Sequence, residues 1–263
     1  MSWQKQSNEQ PLFPDVLWNQ PINQRSSGSL LIIGGHATQF SYTQSVYTKV
    51  LEAGIGKALV ALPKSLRKLL GSLEDCHFLP ETPSGSLADQ SLDELTDLAQ
   101  ATDAALLAGE LSNNSETVKL LGRFIESYDK PIIVDNEVLH TFHKTPETLP
   151  SHGLYVSTVS TASSLARSYK IPIDIKATNA KKTSHLLDEL SQVIEVDFMI
   201  YDQDYIYVQS GGRQSVTDRL NTDSAKIAAF ASVFYLHHED KYEALTTAAY
   251  RVIGGKFDAV NID

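Results

Sequence analysis

The sequence predicts an α/β fold in which a mainly parallel central sheet carries helices on both of its faces. From residue 30 onward, short apolar runs of strand length recur along the chain, and amphipathic stretches separate them. This alternation is typical of parallel strands joined by crossover helices, because such strands are buried on both faces. The predicted strands cover residues 30–33, 58–62, 104–108, 132–134, 154–157, 198–201 and 205–209.

The helices between these strands are predicted from apolar side chains at helical spacing. Near residue 200 the spacing changes, because Asp202, Gln203 and Asp204 separate two strand-length runs as the turn of an antiparallel hairpin would. We therefore expect an antiparallel hairpin in the C-terminal half. The apolar stripes are Val46, Val50 and Leu51; Leu92, Leu95 and Leu98; Val118, Leu121 and Ile125; Leu186, Leu187, Leu190 and Ile194; Ile227, Phe230, Ala231 and Phe234; and Leu245, Ala248 and Val252.

Length and composition indicate one folded unit preceded by an arm. The 263 residues lie near the upper size of a single hydrophobic core, and 42% hydrophobic with 21% charged residues is ordinary globular usage. Residues 1–29 are rich in Gln, Asn, Ser and Pro, and their apolar residues follow neither the spacing of a helix nor that of a strand. We expect an N-terminal arm over residues 1–29 and a single α/β domain over residues 30–263.

The charge balance disfavours one class of partner. Asp and Glu total 32 against 22 Lys and Arg, which gives a formal charge of -10, and no basic cluster interrupts this acidity. Such a surface repels a nucleic-acid backbone, whereas the binding of one small anion in a cleft stays possible. The single Cys76, the lack of a signal-peptide core and the shortness of every apolar run predict a cytoplasmic protein without a membrane segment.

Two glycines at the end of the first predicted strand mark a candidate ligand site. Gly34 and Gly35 follow residues 30–33 directly, and glycine lets the backbone turn tightly beside a ligand. The alternative is a strand that simply turns into a loop. His36, Ser41 and Tyr42 lie in the same loop, where each either contacts a substrate or caps the loop.

No metal cluster is expected from the remaining polar motifs. His237 and His238 are adjacent, and adjacent side chains point apart on a helix. Asp202 and Asp204 are explained by the hairpin turn, which commonly uses aspartate.

A second glycine-containing turn places these elements in a familiar order. The tetrapeptide Ala-Gly-Ile-Gly at residues 53–56 follows a helical stripe and precedes a strand that closes on Pro63. In this order and spacing, residues 31–63 resemble the opening of the NAD(P)H-hydrate dehydratases, a repair branch of the ribokinase-like superfamily. The resemblance implies a ribokinase-like fold.

The resemblance continues at two later strand ends. Residues 108–114, which include Asn113, stand where the family has a Gly-Pro-Gly-Leu-Gly loop, although two glycines and the proline are replaced. Residues 131–139 resemble the family strand that ends in Asp-Ala-Asp-Ala, with Asp135 in the place of the first Asp. The similarity is close over residues 30–140 and looser beyond them.

The C-terminal half departs from the family pattern at its polar positions. Residues 158–164 replace a Thr-Pro-His-Pro-Gly-Glu stretch, and residues 200–203 replace a lysine turn. The family's Gly-Thr-Gly-Asp motif opens a helix whose N–H groups form an anion hole and whose Asp is the general base. Here Ala225 falls at the base position; a two-residue shift makes Asp223 the base, while Thr222 or Asp223 is equally natural as a helix N-cap.

The resemblance implies nucleotide-dependent repair of hydrated NADH or NADPH, with ATP or ADP as the nucleotide and Mg²⁺ bound with it. Because several polar positions differ from the family, two alternatives stay open: a non-catalytic ligand-binding or assembly protein on the same fold, and a small-molecule kinase. A homo-oligomer is compatible with each of them. The residues implied are Asp223 as the base, Thr222 and Ser224 at the anion hole, Gly34, Gly35, His36 and Ser41 on the substrate side, and Asn113 and Asp135 as further cleft contacts.

Overall fold

One mixed sheet organises the computed structural model, which describes residues 3–18, 27–71, 73–111, 114–172, 179–220 and 222–254. Ten strands of this sheet lie within the described residues. They are β1 (Gln4–Gln6), β2 (Ser29–Ile33), β3 (Lys57–Pro63), β4 (Cys76–Leu79), β5 (Ala104–Leu107), β6 (Ile132–Asp135), β7 (Leu154–Thr158), β8 (Asp197–Tyr201), β9 (Tyr205–Ser210) and β10 (Arg213–Asp218).

The helices connect and cover these strands. Within the described residues, three short 3₁₀ turns lie at Lys64–Leu66, Asp89–Ser91 and Pro146–Thr148. Among the described residues no helix has both the length and the apolar character needed to cross a membrane. The α-helices are α1 (Pro14–Trp18), α2 (Ser41–Glu52), α3 (Arg67–Leu70), α4 (Leu92–Gln100), α5 (Ser115–Ser127), α6 (Asn136–Phe142), α7 (Val159–Ser168), α8 (Ala180–Val193), α9 (Ser224–His237) and α10 (Lys241–Val252).

The sheet is mainly parallel, as the sequence predicts. Its strand order is β1-β10-β9-β8-β7-β6-β5-β2-β3-β4, and the seven strands from β8 to β4 in this order are parallel. At the centre, Ile32 of β2 lies opposite Val60 of β3 and Leu106 of β5. The predicted hairpin is confirmed, because β9 pairs antiparallel with β8, and β10 extends this antiparallel pairing by one strand.

Helices cover both faces of the sheet because successive strand residues point to opposite sides. Leu30 and Ile32 pack in one hydrophobic cluster with residues of α2, α9 and α10. Leu31 and Ile33 pack in a second cluster with residues of α4 to α8. The continuous apolar run of β2 is therefore explained by burial on two sides, and the predicted α/β class is confirmed.

Helix α9 is apolar on almost every side. It packs against α2, α10 and β7, and its residues from Ala225 to Tyr235 are buried with the single exception of Lys226. A helix of this kind belongs inside a core rather than on a surface. Its position brings its first residue, Ser224, to the edge of the sheet where the parallel strands end.

Three strands escape prediction, namely β1, β4 and β10, and polar side chains fill β1 and β10. In β10, Gln214, Ser215 and Thr217 are buried, and Gln214 donates from Nε2 to the Asp188 carboxylate at 2.7 Å. The arm contributes β1, where buried Gln6 donates to the Thr217 hydroxyl at 3.0 Å. Hydrogen bonding replaces apolar burial at this edge, so hydrophobic periodicity gives no signal there.

Replacing Gly34 with alanine should destabilise the fold, because a Cβ at this position would lie 1.9 Å from the Ala108 carbonyl oxygen. Overpacking typically costs roughly 1–3 kcal/mol, and here two backbones would have to separate. The matched control is Gly122→Ala in α5, where a Cβ meets nothing closer than Thr148 at 4.0 Å. Alanine should raise stability there by up to about 1 kcal/mol. Urea unfolding measures both variants, and equal effects would show that the contact at Gly34 does not constrain the fold.

Candidate functional site

A cleft of about 710 Å³ opens where the parallel strands β2, β5 and β6 end. This is the edge at which open α/β sheets bind ligands, because the loops that follow neighbouring strands meet there. The described lining residues come from five parts of the chain: the loop after β2, the start of α2, the loop after β5, helix α6 and the start of α9. They are His36, Thr38, Gln39, Tyr42, Gly109, Glu110, Leu111, Glu137, His140, Thr141 and Ser224.

The loop after β2 is shaped by the two glycines that the sequence singles out. Gly34 packs against the β5 end, where the Ala108 carbonyl leaves no room for a side chain, and Gly35 has φ +82°. Beyond them, His36 forms an antiparallel bridge with Gln39, and its Nδ1 lies 2.9 Å from the Thr38 hydroxyl oxygen. The glycines thus position the loop, and His36 reaches the cleft.

Helix α2 begins under a carboxylate that comes from the loop after β5. Glu110 Oε1 accepts hydrogen bonds from the Tyr42 backbone N–H at 3.1 Å and the Ser41 hydroxyl at 3.5 Å. Its Oε2 accepts from the Thr43 hydroxyl at 3.3 Å. A negative charge is favourable beside a helix N-terminus. Glu110 therefore occupies an N–H donor at the start of α2 that would otherwise be free to bind an anion.

Helix α9 likewise begins under a carboxylate of its own. Asp223 is the N-cap residue, and its Oδ1 accepts a hydrogen bond from the Lys226 N–H at 2.7 Å. The Thr222 hydroxyl donates to the Leu220 carbonyl at 3.0 Å and lies 3.4 Å from the Val252 carbonyl. Ser224 lines the cleft. The starts of α2 and α9 therefore each carry a carboxylate from this chain.

Asp135 lies at the end of β6, where it precedes α6 without capping it through its side chain. The residue is completely buried, and neither carboxylate oxygen has a hydrogen-bond partner of ordinary geometry among the described residues. Burial, which disfavours the charged form, raises the pKa of Asp135 to about 7, and the nearby Glu137 charge adds to the rise. The Tyr42 hydroxyl and the Asn136 backbone N–H oppose it.

Two tyrosines surround this carboxylate. Burial raises the pKa of the Tyr42 hydroxyl well above its usual value, and the Asp135 charge raises it further. The same two causes raise the pKa of Tyr201, while Arg219, whose guanidinium lies 4.9 Å from the Tyr201 ring centroid, opposes the rise. Ser224 lowers the pKa of both hydroxyls. The hydroxyls therefore stay protonated around a carboxylate that changes charge near neutral pH.

The residues that the sequence predicts for the site occupy different positions around the cleft. His36 and Ser224 line it, Ser41 borders it through Glu110, and Asp135 lies buried beside Tyr42. Asn113 lies outside the described residues. The remaining predicted residues bond or pack within the protein in the described structure, namely Gly34, Gly35, Thr222 and Asp223.

Several lining residues were missed by the motif comparison. Glu137, His140 and Thr141 follow Asp135 at intervals that place them on one face of α6. That spacing, directly after a predicted strand, is a signal that could have identified them. The position of Glu110 has no such signal, because it depends on a contact with a helix 68 residues away.

The cleft is acidic. Glu110 and Glu137 line it, together with His36 and His140, and its described lining residues include no lysine or arginine. Nowhere in the described parts of the chain do three His, Cys, Asp or Glu side chains form a group able to hold a metal ion. The site is thus suited to accept hydrogen bonds from a ligand.

Comparison with known proteins supports the resemblance seen in the sequence. No family model matches the chain. The bifunctional NAD(P)H-hydrate repair enzyme Nnr of Methanothermobacter thermautotrophicus is 32% identical over 117 residues, which make up 43% of this chain and 22% of that enzyme. The matched part therefore spans about a fifth of the curated relative, and the resemblance to NAD(P)H-hydrate repair proteins is confirmed over that part.

Solved structures identify the fold. A ribokinase-like superfamily protein from Enterococcus faecalis superimposes with a TM-score of 0.70 at 13% identity, covering 94% of this chain and 85% of its own. An ADP/ATP-dependent NAD(P)H-hydrate dehydratase from Bacillus subtilis, co-crystallised with ATP and Mg²⁺ and soaked with CoA, gives a TM-score of 0.67 at 12% identity, with 95% and 87% coverage. The predicted ribokinase-like fold is confirmed.

Replacing Asp135 with asparagine should change how stability depends on pH. Folded Asp135 keeps its proton up to about pH 7, whereas an unfolded aspartate releases it near pH 3.9. Between these values the folded state binds more protons, so stability falls as pH rises, by up to about 4 kcal/mol for this group. Unfolding in urea at pH 4.5 and pH 8 should show this loss for the natural sequence and a smaller one for Asp135→Asn. Parallel pH profiles would contradict the assignment.

Proposed function

We propose that the chain is a divergent relative of the nucleotide-dependent NAD(P)H-hydrate dehydratases, whose cleft binds the nucleoside part of a nucleotide or dinucleotide without catalysing nucleotide-dependent dehydration. The ribokinase-like fold and the partial match to an NAD(P)H-hydrate repair enzyme support the ligand class. The arrangement of carboxylates at the cleft supports the absence of phosphate chemistry.

The observation that carries the proposal is the bond between Asp223 and the start of α9. A general base must come within about 2.6–3.2 Å of the proton that it removes. The Asp223 carboxylate instead accepts the Lys226 N–H at 2.7 Å, and the next position along the helix start that faces inward, Ala225, carries no proton acceptor. The residue thus acts as an N-cap, which is the alternative that its sequence context leaves open.

Glu110 extends the same argument to the second helix start. Phosphate groups bind at helix N-termini through free N–H groups and the positive end of the helix dipole. At α2 the Glu110 carboxylate accepts the Tyr42 N–H, and at α9 the Asp223 carboxylate accepts the Lys226 N–H. A phosphate at either position would meet a like charge without a described lysine or arginine in the lining. The residues present therefore do not fit a Mg²⁺-bound triphosphate.

The same groups fit the uncharged part of a nucleotide. Carboxylates accept hydrogen bonds from ribose hydroxyls, as acidic residues do in dinucleotide-binding folds. Glu110 and Glu137 supply such acceptors, while Thr38, Gln39 and Thr141 supply neutral polar contacts. A volume of about 710 Å³ is within the range of small-molecule pockets.

Purified protein should not dehydrate hydrated NADH or NADPH when ATP or ADP is supplied with Mg²⁺. Lack of a positioned base and of an anion hole should lower the rate by at least about 10⁴-fold. The Bacillus subtilis dehydratase serves as the positive control, and NADH formation is followed by absorbance. Turnover that Asp223→Ala abolishes would identify an active dehydratase with Asp223 as its base. Phosphorylation of an added alcohol instead would identify a small-molecule kinase.

Replacing Glu110 with glutamine should improve the binding of ADP relative to adenosine. Removing one charge beside the α2 start should strengthen the binding of the anionic ligand by about tenfold, or roughly 1.4 kcal/mol, because the phosphate repulsion falls. Calorimetric titration with both ligands gives the ratio. The matched control is Glu126→Gln, which changes the net charge equally at an exposed position of α5. An equal change in the control would assign the effect to overall charge rather than to the cleft.

A further inference from the structure

Strand β4 leaves one edge of the sheet unpaired. It is the last strand in the sheet order, and among the described residues it pairs only with β3. The Val60 N–H donates to the Asp75 carbonyl at 2.8 Å, and because β3 and β4 are parallel, the backbone groups of His77 also face β3. The N–H and carbonyl of Phe78 and the carbonyl of Cys76 therefore face away from the sheet. Such unpaired backbone groups are a template for a further strand.

The segment that leads into β4 exposes two leucines. Leu69 on α3 is 70% exposed, and Leu73, between α3 and β4, is 51% exposed. Natural proteins protect a free sheet edge with charged residues rather than with exposed apolar side chains. Adjacent exposed leucines instead indicate a surface that another molecule covers.

Helix α3 lies against β4. Leu70 and Phe78 pack against the same hydrophobic cluster, and the Arg67 guanidinium lies 5.8 Å from the Phe78 ring centroid. The turn before α3 lies at the carboxyl end of the strand, where the Ser65 N–H donates to the Glu81 carboxylate at 2.9 Å. The chain from residue 64 to residue 70 therefore follows β4 from its carboxyl end.

Charge is separated along this edge. Lys64, Arg67 and Lys68 are exposed, and none of them forms an ion pair with an acidic side chain in the described parts of the chain. Glu74 is exposed and Asp75 is half-buried, and both come directly before β4 at its amino end. The edge is thus basic towards one end of the strand and acidic at the other.

We propose that two copies of this chain associate through β4, with the two β4 strands antiparallel about a two-fold axis near His77. The Phe78 N–H of each copy then donates to the Cys76 carbonyl of the other, because these groups face outward. Leu69 and Leu73 of both copies are covered in the same interface. The inference concerns the edge of the sheet and is independent of the function proposed for the cleft.

The charge separation favours a second copy in this orientation. Antiparallel pairing brings the acidic end of one β4 against the basic end of the other, so that Glu74 of each copy lies opposite Lys64 of its partner. A parallel arrangement would place like charges together. The chain has a formal charge of -10, so two copies repel each other at most other surfaces. Complementary charges at an interface thus determine its orientation as well as its partner.

The first experiment measures the oligomeric state of the full chain. Sedimentation velocity over a range of protein concentrations should show a dimer whose dissociation constant rises with salt, because the interface contains exposed ion pairs. The double variant Leu69→Glu, Leu73→Glu should be a monomer. The matched control is Val193→Glu, which places the same charge at a 52% exposed apolar side chain on α8. Circular dichroism checks that both variants are folded.

A natural protein that is monomeric at every concentration would overturn the proposal. An equal loss of the dimer in Val193→Glu would overturn it as well, because the effect would then follow from added charge rather than from the β4 edge.

The second experiment tests the orientation by exchanging charges. Lys64→Glu and Glu74→Lys should each weaken the dimer by about tenfold, because each places like charges opposite one another twice in a two-fold dimer. The double variant should restore the natural dissociation constant, since it reverses both members of each pair. A double variant as weak as the single variants would overturn the antiparallel arrangement.

The third experiment identifies the edge that pairs. Hydrogen exchange of the Phe78 N–H, followed by NMR, should be at least about tenfold slower in the dimeric natural protein than in the double leucine variant, because pairing protects an amide that otherwise faces solvent. The Val60 N–H, which already donates within the sheet, is the internal control and should exchange equally in both proteins. Equal exchange of Phe78 in dimer and monomer would place the interface elsewhere and overturn the proposal.

Discussion

The close approach of the β2 and β5 strand ends constrains everything at the cleft. A Cβ on Gly34 would lie 1.9 Å from the Ala108 carbonyl oxygen, so only glycine allows the two backbones to meet at this distance. The loops that follow the two strands consequently lie side by side, and Glu110 from one loop reaches the start of α2 that follows the other. The position of the Glu110 carboxylate in the cleft thus depends on the absence of a side chain at Gly34.

Carboxylates of the protein itself lie at the positive ends of two helix dipoles at the cleft. In parallel α/β sheets the helix starts point towards the ligand edge and attract negative charge. Here Glu110 and Asp223 lie at two of these helix starts. Their carboxylates neutralise the positive potential of the helix N-termini without a ligand. What remains exposed are carboxylate oxygens that accept hydrogen bonds, which shifts the chemistry of the cleft from anions to hydrogen-bond donors.

The sequence predicts the central framework well because apolar burial alone decides it. Runs such as residues 30–33 and 104–108 are apolar throughout, and they become strands buried on both faces. The outer strands β1 and β10 are held by polar side chains such as Gln6 and Gln214, and no hydrophobic pattern predicts these bonds. At the site, motif position directs attention to Asp135 and to Ser224, which lines the cleft, but it indicates neither the burial of Asp135 nor the capping bond of Asp223.

The contrast between Asp135 and Asp223 shows why residue type and motif position are insufficient to assign a role. Both are aspartates that precede a helix by one residue. Asp223 bonds the N–H of Lys226 and is committed to holding the start of α9. Asp135 makes no capping bond with its side chain, is wholly buried, and has its pKa raised to about 7 by that burial. Two aspartates at equivalent positions before a helix therefore differ in role because one is buried without a capping bond and the other bonds the helix start.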